Sequence, residues 1–586
     1  MMGKSGFRTI LAATVAAVAI GFASPGTATL AQPAASSVAQ AADVVVRGGT
    51  IYDGSGGAPY RGDVVIRGDK IIEVVKGRFP GRGAREIDAT GLAVAPGFIN
   101  MLSWATESLI VDGRAMSDIK QGVTLEVFGE GSSMGPMSPE MKRLAVQRQG
   151  DIKYPIEWTS FGEYLDYLVK KGVSPNVASF IGTATIRQHE LGEGDVDPDT
   201  AQLQRMRALV RQGMEEGAMG VGSSLIYAPG TYAETPELIA LATESAKCGG
   251  MYISHMRSEG TKLVEAVDEL IEISRASGGP AEIYHLKQGG RDNWHKLDAV
   301  IERVEAARAK GQRITADMYT YIAGSTGLDA AMPTWVQAGG YEAWAKRLQD
   351  PATRAKVMAE MKTPGDGWEN LAYAAGGPDK VLLVGFKNDD LKKYTGKALA
   401  EVARIRGKTP EETAMDLVIE DGSRVQVVYF MMSEDNVKRQ IKLPWVSFDS
   451  DAEAPAAEGV FLKSMTHPRA YGNFARLLGK YVRDEKVISL PEAIRKLTSL
   501  PAENLSLRQR GSLKPGYFAD LAIFDPAKIQ DHATFEKPHQ YATGMRFVLV
   551  NGVEVLRDGE ATDARPGQVV RGPGWTGWPD GGACKE

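Results

Sequence analysis

Strand-like and helix-like segments alternate through most of this chain, and that alternation restricts its fold more than any other feature. Eight apolar runs can be marked, at 93–100, 123–130, 177–186, 220–227, 251–257, 281–287, 314–321 and 445–451, each leading through polar or glycine-containing sequence into an amphipathic stretch. Alternation of this length calls for a parallel sheet covered by helices, and eight units that close on themselves make a (β/α)8 TIM barrel. The spacing is uneven between the seventh and eighth runs. A structureless loop of that length is improbable, so an inserted subdomain is expected at about 330–425.

The two ends read differently. The sequences 44–54, 62–74, 511–525 and 546–553 are short β-rich runs punctuated by Gly and Asp, the pattern of hairpins. They predict a small β-sandwich domain built from 42–95 and 500–562, a barrel domain over 96–499, and an irregular tail at 563–586. The fold class is therefore α/β, a TIM barrel with a β-sandwich accessory domain. At the start, Lys4 and Arg8 precede an apolar, Ala-rich run and small residues with Pro25, which predicts a signal peptide within 1–41 and a periplasmic or secreted protein. Cleavage after Ala31 or Ala41 satisfies the small-residue rule, and no other apolar run approaches spanning length.

Composition narrows the partners. With 68 basic and 73 acidic side chains there is no net positive field, so nucleic acid is not an expected ligand. The two cysteines, Cys248 and Cys584, exclude a disulfide framework and leave a single bridge open.

In a barrel of this kind, catalytic side chains belong at the C-terminal ends of the strands. The fifth run ends in Ser254-His255-Met256-Arg257, the sixth in Tyr284-His285-Leu286-Lys287 and the eighth in Phe448-Asp449-Ser450-Asp451. Two imidazoles and a carboxylate at equivalent strand ends are the ingredients of a hydrolase that activates water on a metal ion. A lone histidine would be read as structural; three strand ends in agreement favour the metal. Arg257 adds a cation at a strand end, and Tyr227 is a candidate oxyanion donor.

Several segments carry a resemblance. Ala95-Pro96-Gly97-Phe98-Ile99-Asn100, Gly220-Val221-Gly222-Ser223-Ser224, His255-Met256-Arg257-Ser258-Glu259-Gly260, His285-Leu286-Lys287, Ala323-Gly324-Ser325-Thr326, His467-Pro468-Arg469 and Pro515-Gly516-Tyr517-Phe518-Ala519-Asp520 occur in this order. From Asp43 to about Val553 the chain resembles the D-aminoacylase (N-acyl-D-amino-acid deacylase) branch of the amidohydrolase superfamily. The resemblance implies a zinc-dependent metal-binding barrel that hydrolyses a linear amide, an N-acyl (D-)amino acid or related N-acyl amide, to carboxylate plus amine. It also implies Lys287, Tyr319 and Ser325 as contacts for the substrate carboxylate. Asp451, the last residue of a segment resembling the family's Gly-Ser-Asp, is implied as the catalytic acid/base, with Asp449 as runner-up.

Two departures stand out. The family's His-x-His pair on the first strand falls on Leu102 and Trp104, which do not coordinate metals, and its bridging cysteine falls on Gly131, beside Glu130. A carboxylate is a competent zinc ligand and a one-residue bulge would aim it, so Glu130, His255 and His285 are expected to hold one Zn2+ per chain. Two alternatives remain at this stage. A cyclic amidase of the dihydropyrimidinase or dihydroorotase kind shares the barrel but uses the paired histidines and a bridging lysine. A secreted small-molecule-binding protein on the same scaffold would lack turnover.

Overall fold

The structure, a computed structural model, describes residues 42–585; the expected leader lies outside them. Seven short strands, Phe98–Asn100, Val123–Phe128, Asn176–Ser179 continuing as Ile181–Gly182, Gly220–Ser224, Met251–His255, Ala281–Ile283 and Ile314–Ala316, run parallel. The eighth run is not a regular strand, yet it closes the ring. Val446 bridges Ala316 on one side and Ala452 bridges Ser103 on the other. Its amides alternate between neighbours: Asp449 N–H donates to Met318 O at 3.1 Å, and Asp451 N–H to Leu102 O at 2.9 Å. The chain is thus an eight-membered parallel barrel, as the alternation predicts.

Between strands the expected helices form for local reasons. Thr200–Glu215 starts at a capping box in which Asp199 and Gln202 satisfy each other's backbone amides. Leu263–Ser277 buries Leu263, Ala266, Val267, Leu270 and Ile273, a three-and-four repeat that lays one face on the barrel, and it stops at Gly278 in the left-handed conformation. Among the described residues no helix is long and apolar enough to cross a membrane.

Segments from 42–96 and 521–561 enter one nine-stranded sheet, as the hairpin patterns of the two regions lead one to expect. Leu521–Phe524 from the C-terminal half pairs antiparallel with Ala93–Pro96 from the N-terminal half. The sheet carries its own core, including Val46, Ile66, Ile87, Leu521 and Leu549. Here the first apolar run divides: Ala93–Pro96 belongs to this sheet, and only Phe98–Asn100 enters the barrel. A continuous apolar run does not reveal a change of sheet, because both halves are buried.

The insertion is a subdomain with its own core around Leu328, Val336, Trp344, Leu383 and Val427. Its antiparallel sheet joins Ala323–Gly327, Gln426–Phe430 and Val381–Gly385, so it reaches beyond 330–425 on both sides. The tail is tied down. Gly567 N–H donates to Val173 O, Val570 N–H to Val177 O and Gly572 N–H to Gly217 O, all at 2.8–2.9 Å, along the N-terminal ends of the third and fourth strands. A disulfide between Cys248 and Cys584 anchors its end.

Candidate metal centre and active site

The C-terminal ends of the second, fifth and sixth strands bring Glu130, His255 and His285 into one buried group, with one ligand atom from each lying within 4.8 Å of the others. Glu130 follows Val123–Phe128 between Gly129, at φ 111°, and Gly131, at φ 66°. A Cβ on Gly129 would lie 2.3 Å from Phe180 O, and one on Gly131 would lie 2.3 Å from Ser224 Cβ. Two glycines are what this turn requires, and the turn aims the carboxylate inward. The Oε1 atom then sits 2.8 Å from His255 Nδ1 and 3.2 Å from His285 Nε2.

A second carboxylate, Glu259, braces the group from behind. Its Oε1 lies 3.1 Å from His285 Nδ1 and accepts from Lys287 Nζ at 2.7 Å. A metal ion would take the place of the Nε2 proton that His285 now directs at Glu130, with Glu259 beside Nδ1 orienting the ring as a carboxylate orients a metal-ligating imidazole. His255 Nε2 is buried without a hydrogen-bond partner. One carboxylate and two imidazoles form the nitrogen–oxygen donor set of a catalytic zinc site and leave a coordination position open. The residues therefore fit a zinc ion.

Electrostatics agree. Burial would raise the Glu130 carboxyl, but the His285 charge and hydrogen bonds from both imidazoles prevail and hold it well below the carboxylate range. Burial and Lys287 push His285 down, yet Glu130, Glu259 and Asp451 outweigh them and raise it to about 10. The pocket attracts positive charge.

Asp451 stands across this space at the end of the eighth strand, at φ 44°. Each of its oxygens has a partner. Trp104 Nε1–H donates to Oδ1 at 3.0 Å, and Arg469 Nη1 lies 2.7 Å from Oδ2. Asp449, two residues earlier, has neither oxygen hydrogen-bonded, and burial together with Asp451 raises it to about 7. Its neighbour Asp317 accepts from the backbone N–H of His285 and so fixes that strand end.

The expected substrate contacts separate into two groups. The Tyr319 ring lies between Lys287, whose Nζ is 5.5 Å from its centroid, and Arg469, whose Cζ is 4.4 Å away. Lys287 is already engaged with Glu259 and, at 2.6 Å, with His285 Nδ1. Ser325 sits on the insertion sheet and donates to Val427 O at 2.9 Å. The Tyr227 ring lies 5.2 Å from that of His255; burial and the Glu130 charge push its hydroxyl pKa well up, so it stays a donor. Arg257 is not brought to the group. Its guanidinium forks Glu269 at 2.9 and 3.0 Å and donates to the carbonyls of Thr231 and Ala233, a salt bridge on the outer side of the strand end.

Three residues of the site carry no functional signal in the sequence. Glu259 and Arg469 lie in family-like segments, His255 to Gly260 and His467 to Arg469, but nothing in their spacing gives them a role. Arg469 is 2 % exposed, and its Nε and Nη1 lack aligned hydrogen bonds. His467 sets its backbone: Nδ1 accepts from Arg469 N–H at 3.0 Å, which leaves Nε2–H to donate to Ala323 O at 2.9 Å. Trp104, the third, reads in sequence only as a non-ligand. Glu126, buried on the second strand, accepts from Asn100 Nδ2 at 3.0 Å in a network with Asp118 and Ser450.

Comparison with known proteins places this geometry in context. The model of an amidohydrolase family matches residues 85–556. D-aminoacylase of Alcaligenes xylosoxydans xylosoxydans is 30% identical over 543 residues, covering 91% of this chain and 98% of that protein. Among solved structures, N-acyl-D-glutamate deacylase of Bordetella bronchiseptica, bound to zinc and a phosphonate mimic of the tetrahedral intermediate, superposes with a TM-score of 0.74 at 27% identity, covering 91% of this chain and 100% of that one. A D-aminoacylase structure described by one-metal activation and second-metal attenuation gives the same TM-score at 29% identity, with 90% and 100% coverage.

Proposed function

The chain belongs to the amidohydrolase family, and from that premise we propose that it is a single-zinc hydrolase of linear amides whose substrates are N-acyl D-amino acids. The observation that carries this is the buried trio Glu130, His255 and His285 at three strand ends, with His255 Nε2 making no hydrogen bond and standing 3.6 Å from Glu259 Oε2. Zinc, when bound there, acidifies water and polarises the amide carbonyl.

The rest of the chemistry belongs to the protein's own side chains. Asp451 takes the proton of the attacking water and returns it to the leaving amine nitrogen, without which an amide nitrogen is a poor leaving group. The Tyr227 hydroxyl, which stays protonated, is a donor for the developing oxyanion. Arg469, with Tyr319 stacked on it, is the cation available to the substrate carboxylate. Lys287 is already engaged by Glu259, and its part is to hold that brace and, through it, His285. The acyl group faces the loop 132–137 and the insertion sheet, where Met431 and Met432 offer adaptable apolar surface.

Export to the periplasm or medium is part of the proposal. The leader pattern supports it, and so does the Cys248–Cys584 bridge, since disulfides persist in oxidising compartments. The test is hydrolysis of paired N-acyl D- and L-amino acids and of cyclic amides by zinc-loaded and chelated protein. Turnover of the linear N-acyl D-amino acids that is lost on chelation is the expected result. Preference for ring substrates would place the protein with the cyclic amidases, and no turnover at all would leave a binding protein.

A further inference from the structure

We propose that Trp104 is a positioning residue for Asp451: its indole N–H, presented from the segment that follows the first barrel strand, fixes the direction in which that carboxylate meets the substrate. The inference rests on the reading of Asp451 as the proton-transferring group. Three observations support it.

The backbone brings the two side chains together independently of their own contact. Asp451 N–H donates to Leu102 O and Trp104 N–H to Ala452 O, both at 2.9 Å, so segments 102–104 and 451–452 are zipped in register where the barrel closes. Next, the carboxylate is held at both oxygens. With Nε1–H of Trp104 on Oδ1 and Arg469 beside Oδ2, rotation about the Asp451 side chain breaks one contact or the other. Lastly, Trp104 does not behave as core filler. It is 38% exposed at the barrel mouth, whereas Leu102, two residues earlier in the segment that follows the first strand, is fully buried.

The choice of donor has a physical logic. An indole N–H donates and never accepts or titrates, so it holds the carboxylate without competing for the proton that Asp451 carries. It also adds no charge to a pocket where Arg469 already pairs with Asp451. Because a misplacement of about 1 Å at a reacting group costs about 10²-fold in rate, one directional bond on Oδ1 is enough to matter.

The experiment compares Trp104→Phe, Trp104→Gln and Asp451→Asn in zinc-loaded enzyme, reading kcat, KM, zinc per chain and thermal midpoint. Trp104→Phe keeps the ring and loses the N–H. Its kcat is expected to fall about 10- to 100-fold, with KM within about twofold and with zinc content and midpoint unchanged. Trp104→Gln returns an N–H donor at similar reach and is expected to recover part of kcat. Unchanged kcat in Trp104→Phe, while Asp451→Asn is inactive, would overturn the proposal and leave the reading of Asp451 standing. A raised KM with kcat preserved would also overturn it, making Trp104 a wall of the substrate pocket. Full activity in Asp451→Asn would remove the reading of Asp451 and the proposal together.

Discussion

Replacing Glu130 by Gln keeps its shape and removes its charge, and the size of the effect can be estimated from the site. His285 is raised from an ordinary 6.5 to about 10 against the opposing effects of burial and Lys287, which corresponds to about 5 kcal/mol in favour of positive charge. Three carboxylates produce that preference, and Glu130 is the foremost of them. At an effective dielectric constant of about 20 a unit charge about 4 Å away is worth about 4 kcal/mol, so losing the Glu130 charge should cost about 10²- to 10³-fold in zinc affinity. Loss of a direct ligand acts in the same direction. The assay is competition with a chelator of known affinity, read as zinc retained per chain, beside Glu130→Cys, which supplies the family's usual ligand type one position early. Glu130→Gln is expected to lose zinc at chelator concentrations that leave the wild type loaded, with Glu130→Cys in between. Zinc affinity within about threefold of wild type in Glu130→Gln would refute the ligand assignment, since a buried anionic ligand cannot be removed at so small a cost.

Three further outcomes follow from the same geometry. Arg469→Met should raise KM for N-acyl amino acids about 10- to 100-fold and leave KM for the corresponding N-acyl amides little changed, whereas Arg257→Met should alter neither; steady-state kinetics on both substrate classes checks this. Asp449→Asn should stabilise the protein at neutral to alkaline pH. The native carboxyl, at about 7, lies above its unfolded value, so the native state binds the extra proton, and stability present below about pH 4 is lost as pH rises through 7. The gain is at most about 4 kcal/mol above pH 7 and vanishes near pH 4, as scanning calorimetry at the two pH values would show. Reducing the Cys248–Cys584 bridge opens a closed segment spanning 336 residues and should lower the thermal midpoint by about 5 °C, on a chain-entropy contribution of about 6 kcal/mol.

The barrel was legible because strand and helix differ in period, and that signal is local to each run. The strand ends gave His255, His285 and Asp451 for the same reason: a polar residue that stops an apolar run in a parallel barrel points at the common mouth. Glu130 was legible as a displaced ligand because it stands beside the position of the family's bridging cysteine, though the sequence could not state that Gly129 and Gly131 are both needed at positive φ. What stayed hidden was long-range. Trp104 meets Asp451 across 347 residues of sequence, and neither residue's neighbourhood records the other. Arg257 and Arg469 look equally available as text, and only the structure shows one forked by Glu269 and the other beside Asp451. The division of 93–100 between two sheets was invisible, since both of its halves are apolar and buried.

If one zinc ion on Glu130, His255 and His285 catalyses linear amide hydrolysis, metal-free protein titrated with zinc should gain turnover of N-acyl D-amino acids. Activity is expected to rise linearly and level at about one zinc per chain, with Glu130→Gln flat over the same range. Activity that needs two equivalents, or that persists in metal-free protein, would contradict it.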